Sequence, residues 1–364
     1  MSTGSDSDSV VPAEFTLLPD LAVRSLGGAV VWADDESFAE KENLIRPEAP
    51  TFSTETFGHK GKVYDGWETR RRRRPGGAAP AADDCDAAIV RLGAPGVIRG
   101  VVVDTAWFKG NYPPEVSVEA IALAGYPTAD RVAAATGWTT IVGRAKVDGD
   151  TANAFPADSE QRFTHVRLRM FPDGGVARLR VHGEAKPDLR WLDSGPFDLA
   201  GLENGGRVVD CSDRFYSSPQ NLLLPDRPRI MGEGWETARR RGGGNDWVRV
   251  RLAGEGVLTM VEIDTSYFLF NSPGAARLTG IRADGGEVEL LARTELLPDT
   301  RHRFPVEVTE PVTEVRLDVY PDGGFARLRV FGTLTDAARD ALRAEPVFGA
   351  LADEALDQLR DGHE

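Results

Sequence analysis

The sequence predicts an all-β protein: two tandem antiparallel jelly-roll β-sandwich domains followed by a short helical C-terminal tail. Three observations predict it. A set of motifs occurs twice in the same order; short alternating apolar and polar runs are separated by Gly- and Pro-rich turns; and the pattern changes to helical spacing near residue 335.

The duplication is the strongest of these. Gly66-Trp67-Glu68-Thr69 recurs as Gly234-Trp235-Glu236-Thr237, and Arg71-Arg72-Arg73 as Arg239-Arg240-Arg241. Asp104-Thr105 recurs as Asp264-Thr265, Trp107-Phe108 as Tyr267-Phe268, and Asn111 as Asn271. Phe171-Pro172-Asp173-Gly174-Gly175 returns as Tyr320-Pro321-Asp322-Gly323-Gly324, each running on into Ala-Arg-Leu-Arg-Val. Upstream, Val30-Val31 and Asn43-Leu44 match Val208-Val209 and Asn221-Leu222. A period near half the chain length is too long for a solenoid and marks a duplicated domain. The expected units are a disordered acidic tail over 1–22, a first sandwich over 23–185, a second over 196–334 and a helical extension over 335–364. The join falls between Pro187 and Pro196, where two prolines and a glycine break the pattern.

Within each copy the strands can be placed. Gly100–Asp104 is a continuous apolar strand with Val261–Asp264 as its partner copy, and Trp247–Leu252 alternates. Val166–Met170 and Ala177–Val181 alternate on either side of Pro-Asp-Gly-Gly, which predicts a hairpin. Thr335–Leu359, rich in Ala, Leu and charge, predicts one or two short helices.

Composition narrows the function classes. The chain of 364 residues carries 43 basic and 57 acidic residues, a net charge of −14, which disfavours nucleic acid as a partner despite the run Arg70–Arg74. The first residues have neither a basic start nor an apolar stretch, and no run has the length of a membrane span. Two cysteines, Cys85 and Cys211, one in each half, suit a reducing compartment, so a cytoplasmic location is expected.

At the Gly-Trp-Glu-Thr-x-Arg-Arg-Arg, Asp-Thr-x-x-Phe-x-x-Asn and Pro-Asp-Gly-Gly-x-Ala-Arg-Leu-Arg-Val motifs, in duplicate and in order, the chain resembles the allantoicase family. The resemblance covers about residues 23–334. It implies two galactose-binding-like jelly rolls and the hydrolysis of allantoate to ureidoglycolate and urea, a step of purine breakdown. It implies a small-molecule partner and admits a homo-oligomer. For some members it implies a divalent metal such as manganese. The sequence itself holds no His-x-x-His, Cys-x-x-Cys or His-Glu-x-x-His spacing and calls for no cofactor. One departure is visible: Thr164-His165-Val166 keeps the histidine that often precedes the turn in the family, whereas the second copy has Thr313-Glu314-Val315.

Allantoate carries one carboxylate and two ureido groups on one carbon, so its cleavage calls for a cation and for a group that moves protons. Arginine pairs with carboxylate or urea oxygen, and a tuned Glu or Asp carries protons. The candidate catalytic residues are Glu68, Asp104, Glu236 and Asp264. The candidate binding residues are Arg70, Arg71, Arg72, Asn111, His165, Arg239, Arg240 and Asn271. An extended Glu-Thr-x-Arg-Arg-Arg segment would put Glu68 with Arg72, and Glu236 with Arg240, on one face. Against these stand plainer readings. The arginine run can be a solvated surface, Asp104 and Asp264 can cap the turn after their strand, and Asn111 and Asn271 are natural turn residues. Trp67 and Trp235 read as core, and Pro-Asp-Gly-Gly as purely structural. Arg70 against Ala238, and His165 against Glu314, make the first copy the expected better site for an anion. The competing class is a non-catalytic ligand- or carbohydrate-binding jelly roll, which the fold alone would equally serve.

Overall fold

The computed structural model describes residues 13–189 and 195–347, and these form two β-sandwiches of the same topology. In the first, one strand, Asp86–Asp104, runs through both sheets. Its first half lies between Ala29–Ala33 and Arg162–Phe171; its second half lies between Arg178–Ala185 and Ala152–Pro156. Glu115–Ile121 and Thr139–Lys146 extend the first sheet, and every pairing is antiparallel. The register breaks between Arg91 and Gly96, where the strand folds over from one sheet to the other. Ala88, Val90, Ile98, Val101 and Val103 from its two halves then share one buried core with Val166, Leu168, Leu179 and Val181. The second sandwich repeats this with Asp246–Asp264. It pairs first with Arg207–Cys211 and Val312–Tyr320, then with Arg327–Leu334 and Arg301–Pro305.

Because the strand folds over, its two ends lie at the same end of the sandwich. Asp86 N donates to Pro172 O at 3.1 Å, and Ala177 N donates to Asp104 O at 2.7 Å. The Pro-Asp-Gly-Gly segment is therefore not a hairpin turn, as the alternation predicts. It is a corner that carries the chain from one sheet to the other: the alternating runs on either side both pair with the long strand and not with each other. Alternation reports burial of one face and is blind to which neighbour lies alongside. The Phe171-Pro172 and Tyr320-Pro321 peptide bonds are cis.

The Gly-Trp-Glu segment is pinned to that corner. Trp67–Glu68 pairs with Gly175–Val176, and Trp67 is fully buried with Nε1 donating to Asp35 O at 2.7 Å. Trp235 is held in the same way by Asp213 O. Gly174 has a φ of 149°, and a Cβ on Gly175 would stand 2.1 Å from the buried Phe108 ring, so the two glycines answer to different demands, backbone conformation and space.

The N-terminal expectation needs correction. Glu14–Leu17 forms a turn of 3-10 helix, Leu21 and Ala22 are fully buried, and Leu21 O accepts from Gly93 N at the fold of the long strand. Residues 13–22 thus belong to the first sandwich, because apolar side chains there cover the bend; residues 1–12 lie outside the described residues. At the other end Asp336–Arg343 is helical, capped by Thr335 Oγ1 accepting from Ala338 N, while the expected helix beyond 347 lies outside the described residues. The ion pair Arg229–Glu48 (3.5 Å) crosses between the repeats, and Lys186–Glu345 (2.7 Å) ties the first repeat to the C-terminal extension.

Gly175→Ala is expected to destabilise by about 1–3 kcal/mol, since the added methyl must displace a packed ring. Gly143→Ala, where the Cβ meets nothing within 4 Å, is the control. Urea unfolding of both variants measures the difference.

Candidate functional site

The corner gathers the duplicated motifs. Glu68 ends its short strand half-buried, and Asn111 Nδ2 donates to Glu68 Oε1 at 2.8 Å. In the second repeat Asn271 Nδ2 donates to Glu236 Oε1 at 2.7 Å. Each asparagine also accepts, through its backbone oxygen, the N–H of Gly175 or Gly324. Burial pushes the Glu68 carboxyl above its ordinary range, and the Asn111 amide opposes the shift only in part. The rest of Asp-Thr-x-x-Phe-x-x-Asn builds the loop that delivers the asparagine. Thr105 Oγ1 donates to Thr151 O or Asp148 O, Trp107 takes a φ of 70° with its N–H on Asp150 Oδ1, and Phe108 is fully buried under Gly66 and Gly175.

Around Asn111 lies a pocket of about 360 Å³ lined by Phe52, Thr54, Tyr64, Trp107, Lys109 and Gly110. Its aromatic wall is a stack: Phe52 on Trp107 with centroids 5.6 Å apart, Phe52 beside Tyr64 at 5.4 Å, and Tyr64 on Phe108 at 5.0 Å. Trp107 Nε1 donates to Pro50 O, which ties the wall to the motif loop. Under it, Arg178 is fully buried and binds Asp65 Oδ1 at 2.9 Å together with the backbone oxygens of Glu48 and Asp65.

A glutamate held by an asparagine at the same corner of both repeats is what the motifs preserve, and comparison with known proteins gives that corner its context. The allantoicase repeat model matches residues 19–186 and 197–335. The chain belongs to the allantoicase family. A Nocardia farcinica protein named a probable allantoicase is 64% identical over 90% of this chain and 98% of its own length. The Dictyostelium discoideum allantoicase is 38% identical over 91% of each chain. The crystal structure of the Saccharomyces cerevisiae allantoicase superposes with a TM-score of 0.74 at 34% identity, covering 86% of this chain and 92% of that one.

Within this allantoicase-family chain the candidate residues separate into three groups. Glu68 with Asn111, and Glu236 with Asn271, come together. The arginines mostly do not join them. The strand stops at Glu68 because Thr69 N turns to Gly174 O and Arg72 N to Asp173 Oδ2, so the expected face of Glu68 with Arg72 does not form. Arg72 instead reaches the buried Asp86 (Nη2 to Oδ1, 2.6 Å), Arg240 reaches Asp246, and Arg70 binds Asp35 Oδ2 at 2.7 Å. A buried carboxylate demands a cation, and these arginines answer that demand. Arg71 and Arg239 are exposed.

The third group is placed by the fold to other work. Asp104 Oδ1 accepts from Ala106 N at 2.8 Å and Asp264 Oδ1 from Ser266 N at 2.9 Å, so both cap the turn after the long strand. Burial raises the Asp104 carboxyl as well. His165 is the clear correction. It pairs in register with Arg91, at the folded middle of the long strand, while the Glu68 corner adjoins Met170 and Asp86, five residues along. That is roughly 17 Å away at strand rise. It is 3% exposed, with Nδ1 against Thr164 Oγ1, and its counterpart Glu314 is occupied by Arg249 and Arg251. The histidine and glutamate therefore give no reason to rank the two copies.

Lys109 and the wall residues Phe52, Thr54 and Tyr64 were not singled out from sequence. Two signals mark them. The asparagine that binds the oxygen of Gly66 or Gly234 lies 23 residues before it in the first repeat and 13 in the second, so the first has an inserted segment. Lys109 also faces Leu269 as a mismatch inside a matched motif.

Among the described residues no three His, Cys, Asp or Glu side chains are placed to hold a metal ion. The donors at the corner are one carboxylate and one amide, a set that does not fit the manganese expectation. Among them, too, no helix is long and apolar enough to cross a membrane.

Burial, with the charge of Arg91 nearby, holds the His165 imidazole down to about 4. A lowered folded-state value adds stability above the unfolded value near 6.5 that is lost as pH falls toward 4, up to roughly 3 kcal/mol. Thermal unfolding at pH 7 and pH 4.5 is expected to show a larger acid loss for the wild type than for His165→Asn.

Proposed function

We propose that this chain is a urea-releasing hydrolase that cleaves one C–N bond of allantoate, a linear ureido compound, at the Glu68–Asn111 corner. One observation carries the site assignment: in a chain of this family the same carboxyl–amide pair recurs in both repeats, and in the first its asparagine lines a pocket. Cleavage replaces a C–N bond to one ureido group with a C–O bond from water, and water's second proton leaves on urea. Asn111 Nδ2 occupies Glu68 Oε1, which leaves Oε2 as the oxygen available for proton transfer. A carboxyl raised by burial is a stronger base than an exposed one and a usable acid nearer neutrality. As carboxylate it takes the proton from water; as the acid so formed it returns that proton to the departing urea nitrogen. Arg72 and Arg240 act through position, fixing the loop that follows each glutamate. The relatives bear an enzyme's name, so a non-catalytic binding role has no support from them. Both cysteines are free, which suits the reducing cytoplasm where we place the reaction.

Purified protein should release urea from allantoate and not from arginine. Glu68→Gln should lower kcat/KM by about a hundredfold or more, and by more than Glu236→Gln does. Its stability at neutral pH should hold: a raised folded-state value stabilises only at low pH and is lost as pH rises through it, so the ionised carboxyl contributes nothing that Gln removes. The kcat/KM profile of the wild type should fall on the acid side with an apparent pKa above the ordinary 4.5 of glutamate.

Urea release should also survive treatment with EDTA. Loss of activity that manganese restores would overturn the metal-free reading.

A further inference from the structure

The two repeats share the carboxyl–amide pair but not its surroundings. In the first, the inserted segment folds over the corner. It carries a small hairpin, Phe57–Gly58 with Gly61–Lys62, and contributes Phe52, Thr54 and Tyr64 to the pocket. In the second, with no such insert, the corresponding surface presents exposed apolar side chains, Leu269 at 53% and Phe270 at 98%, and Met231 Sδ lies 3.1 Å from Asn271 Nδ2. The charge differs as well. Lys109 lines the first pocket, and the matching positions of Lys109 and Gly110 hold Leu269 and Phe270.

A substrate with a carboxylate needs a cation that is free to turn toward it. Arg70, Arg72 and Arg74 are held by Asp35, Asp86 and Asp84, and Lys62 lies over the Phe52 ring at 4.8 Å. Arg71 and Arg239 occur in both repeats and do not distinguish them. Lys109 is 71% exposed, and its ion pair to Asp150 Oδ2 at 3.4 Å is long and on the surface, where such pairs are weak and readily exchanged. Asp150 is in any case engaged by Trp107 N through its other oxygen. The ammonium can therefore leave Asp150 for a carboxylate in the pocket at small cost.

We infer that Lys109 anchors the substrate carboxylate in a pocket built only in the first repeat, and that the second repeat's Glu236–Asn271 pair, without wall or cation, binds no substrate. This rests on the reading of Glu68–Asn111 as the allantoate site. The anchor holds a group that does not change in the reaction, so it acts on binding in ground state and transition state alike.

The test is steady-state kinetics of the full chain with allantoate. Lys109→Met should raise KM about tenfold with kcat within about threefold, and Lys109→Arg should recover most of the affinity. The wild-type KM should rise with added salt and that of Lys109→Met should not. Unfolding measurements on Lys109→Met, at an exposed position, should match the wild type. An unchanged KM in Lys109→Met, in a protein whose turnover Glu68→Gln still lowers strongly, overturns the anchor and leaves the function standing; a wild type that releases no urea from allantoate overturns the function itself. Titration of allantoate into Glu68→Gln by calorimetry should give one site per chain, and two sites would overturn the asymmetry.

Discussion

In each repeat one strand belongs to both sheets, and its two ends must return to the same edge of the sandwich. Two backbone hydrogen bonds close that return in the first repeat, from Asp86 N to Pro172 O and from Ala177 N to Asp104 O. The corner between them can be only as wide as Asp173–Val176, which is why Gly174 must take a left-handed φ and Gly175 must lack a side chain against Phe108. Everything at that end inherits the arrangement. Trp67–Glu68 pairs with the corner, Asn111 reaches it through its own backbone oxygen, and Arg72 is fixed by Asp173. Residues far apart in sequence thus meet because the strand folds, with no motif holding all of them.

The same frame explains why two copies of a site can differ in use. The corner and the buried Trp67 paired to it are frame elements: altering them disturbs the sheet closure, and glutamate and asparagine are placed by that frame. The loops around them are under no such constraint. The segment over 46–64 lies outside the two sandwich sheets and has no buried residue, so it could lengthen without touching the core, and Lys109 or Leu269 stands on the exposed side of a loop whose buried side is Phe108 or Phe268. Conserved geometry and divergent lining are therefore what a duplicated sandwich permits.

Much of this could be read from the residues, and the failures have particular causes. The repeat, the β class, the buried tryptophans and the candidacy of the glutamates and asparagines followed from the residues; that glutamate and asparagine would meet did not, because collinear matches do not say which motifs touch. The hairpin did not, because alternating strands on either side of a turn look the same whether they pair with each other or with a third strand. The arginines lie away from the glutamates because the chain does not stay extended beyond Glu68: Asp173 bends it, and the buried Asp86 and Asp246 draw the guanidinium groups inward. His165 misled because a histidine on an alternating strand carries no mark of how far along that strand the site lies. The pocket wall is illegible in the shared motifs because only one copy has it.

The long strand also sets how the chain can fold. Its pairings join Asp86 to Met170 and Asp104 to Arg178, so most of the sheet waits for chain that comes much later, and contacts of this kind form slowly because loop entropy is lost before they reward it. Two successive repeats with nearly the same strands invite the wrong partner, a strand of one copy docking beside the long strand of the other. Synthesis from the N-terminus gives the first copy an interval in which its own last strand, ending at Ala185, is the only one of its kind on offer.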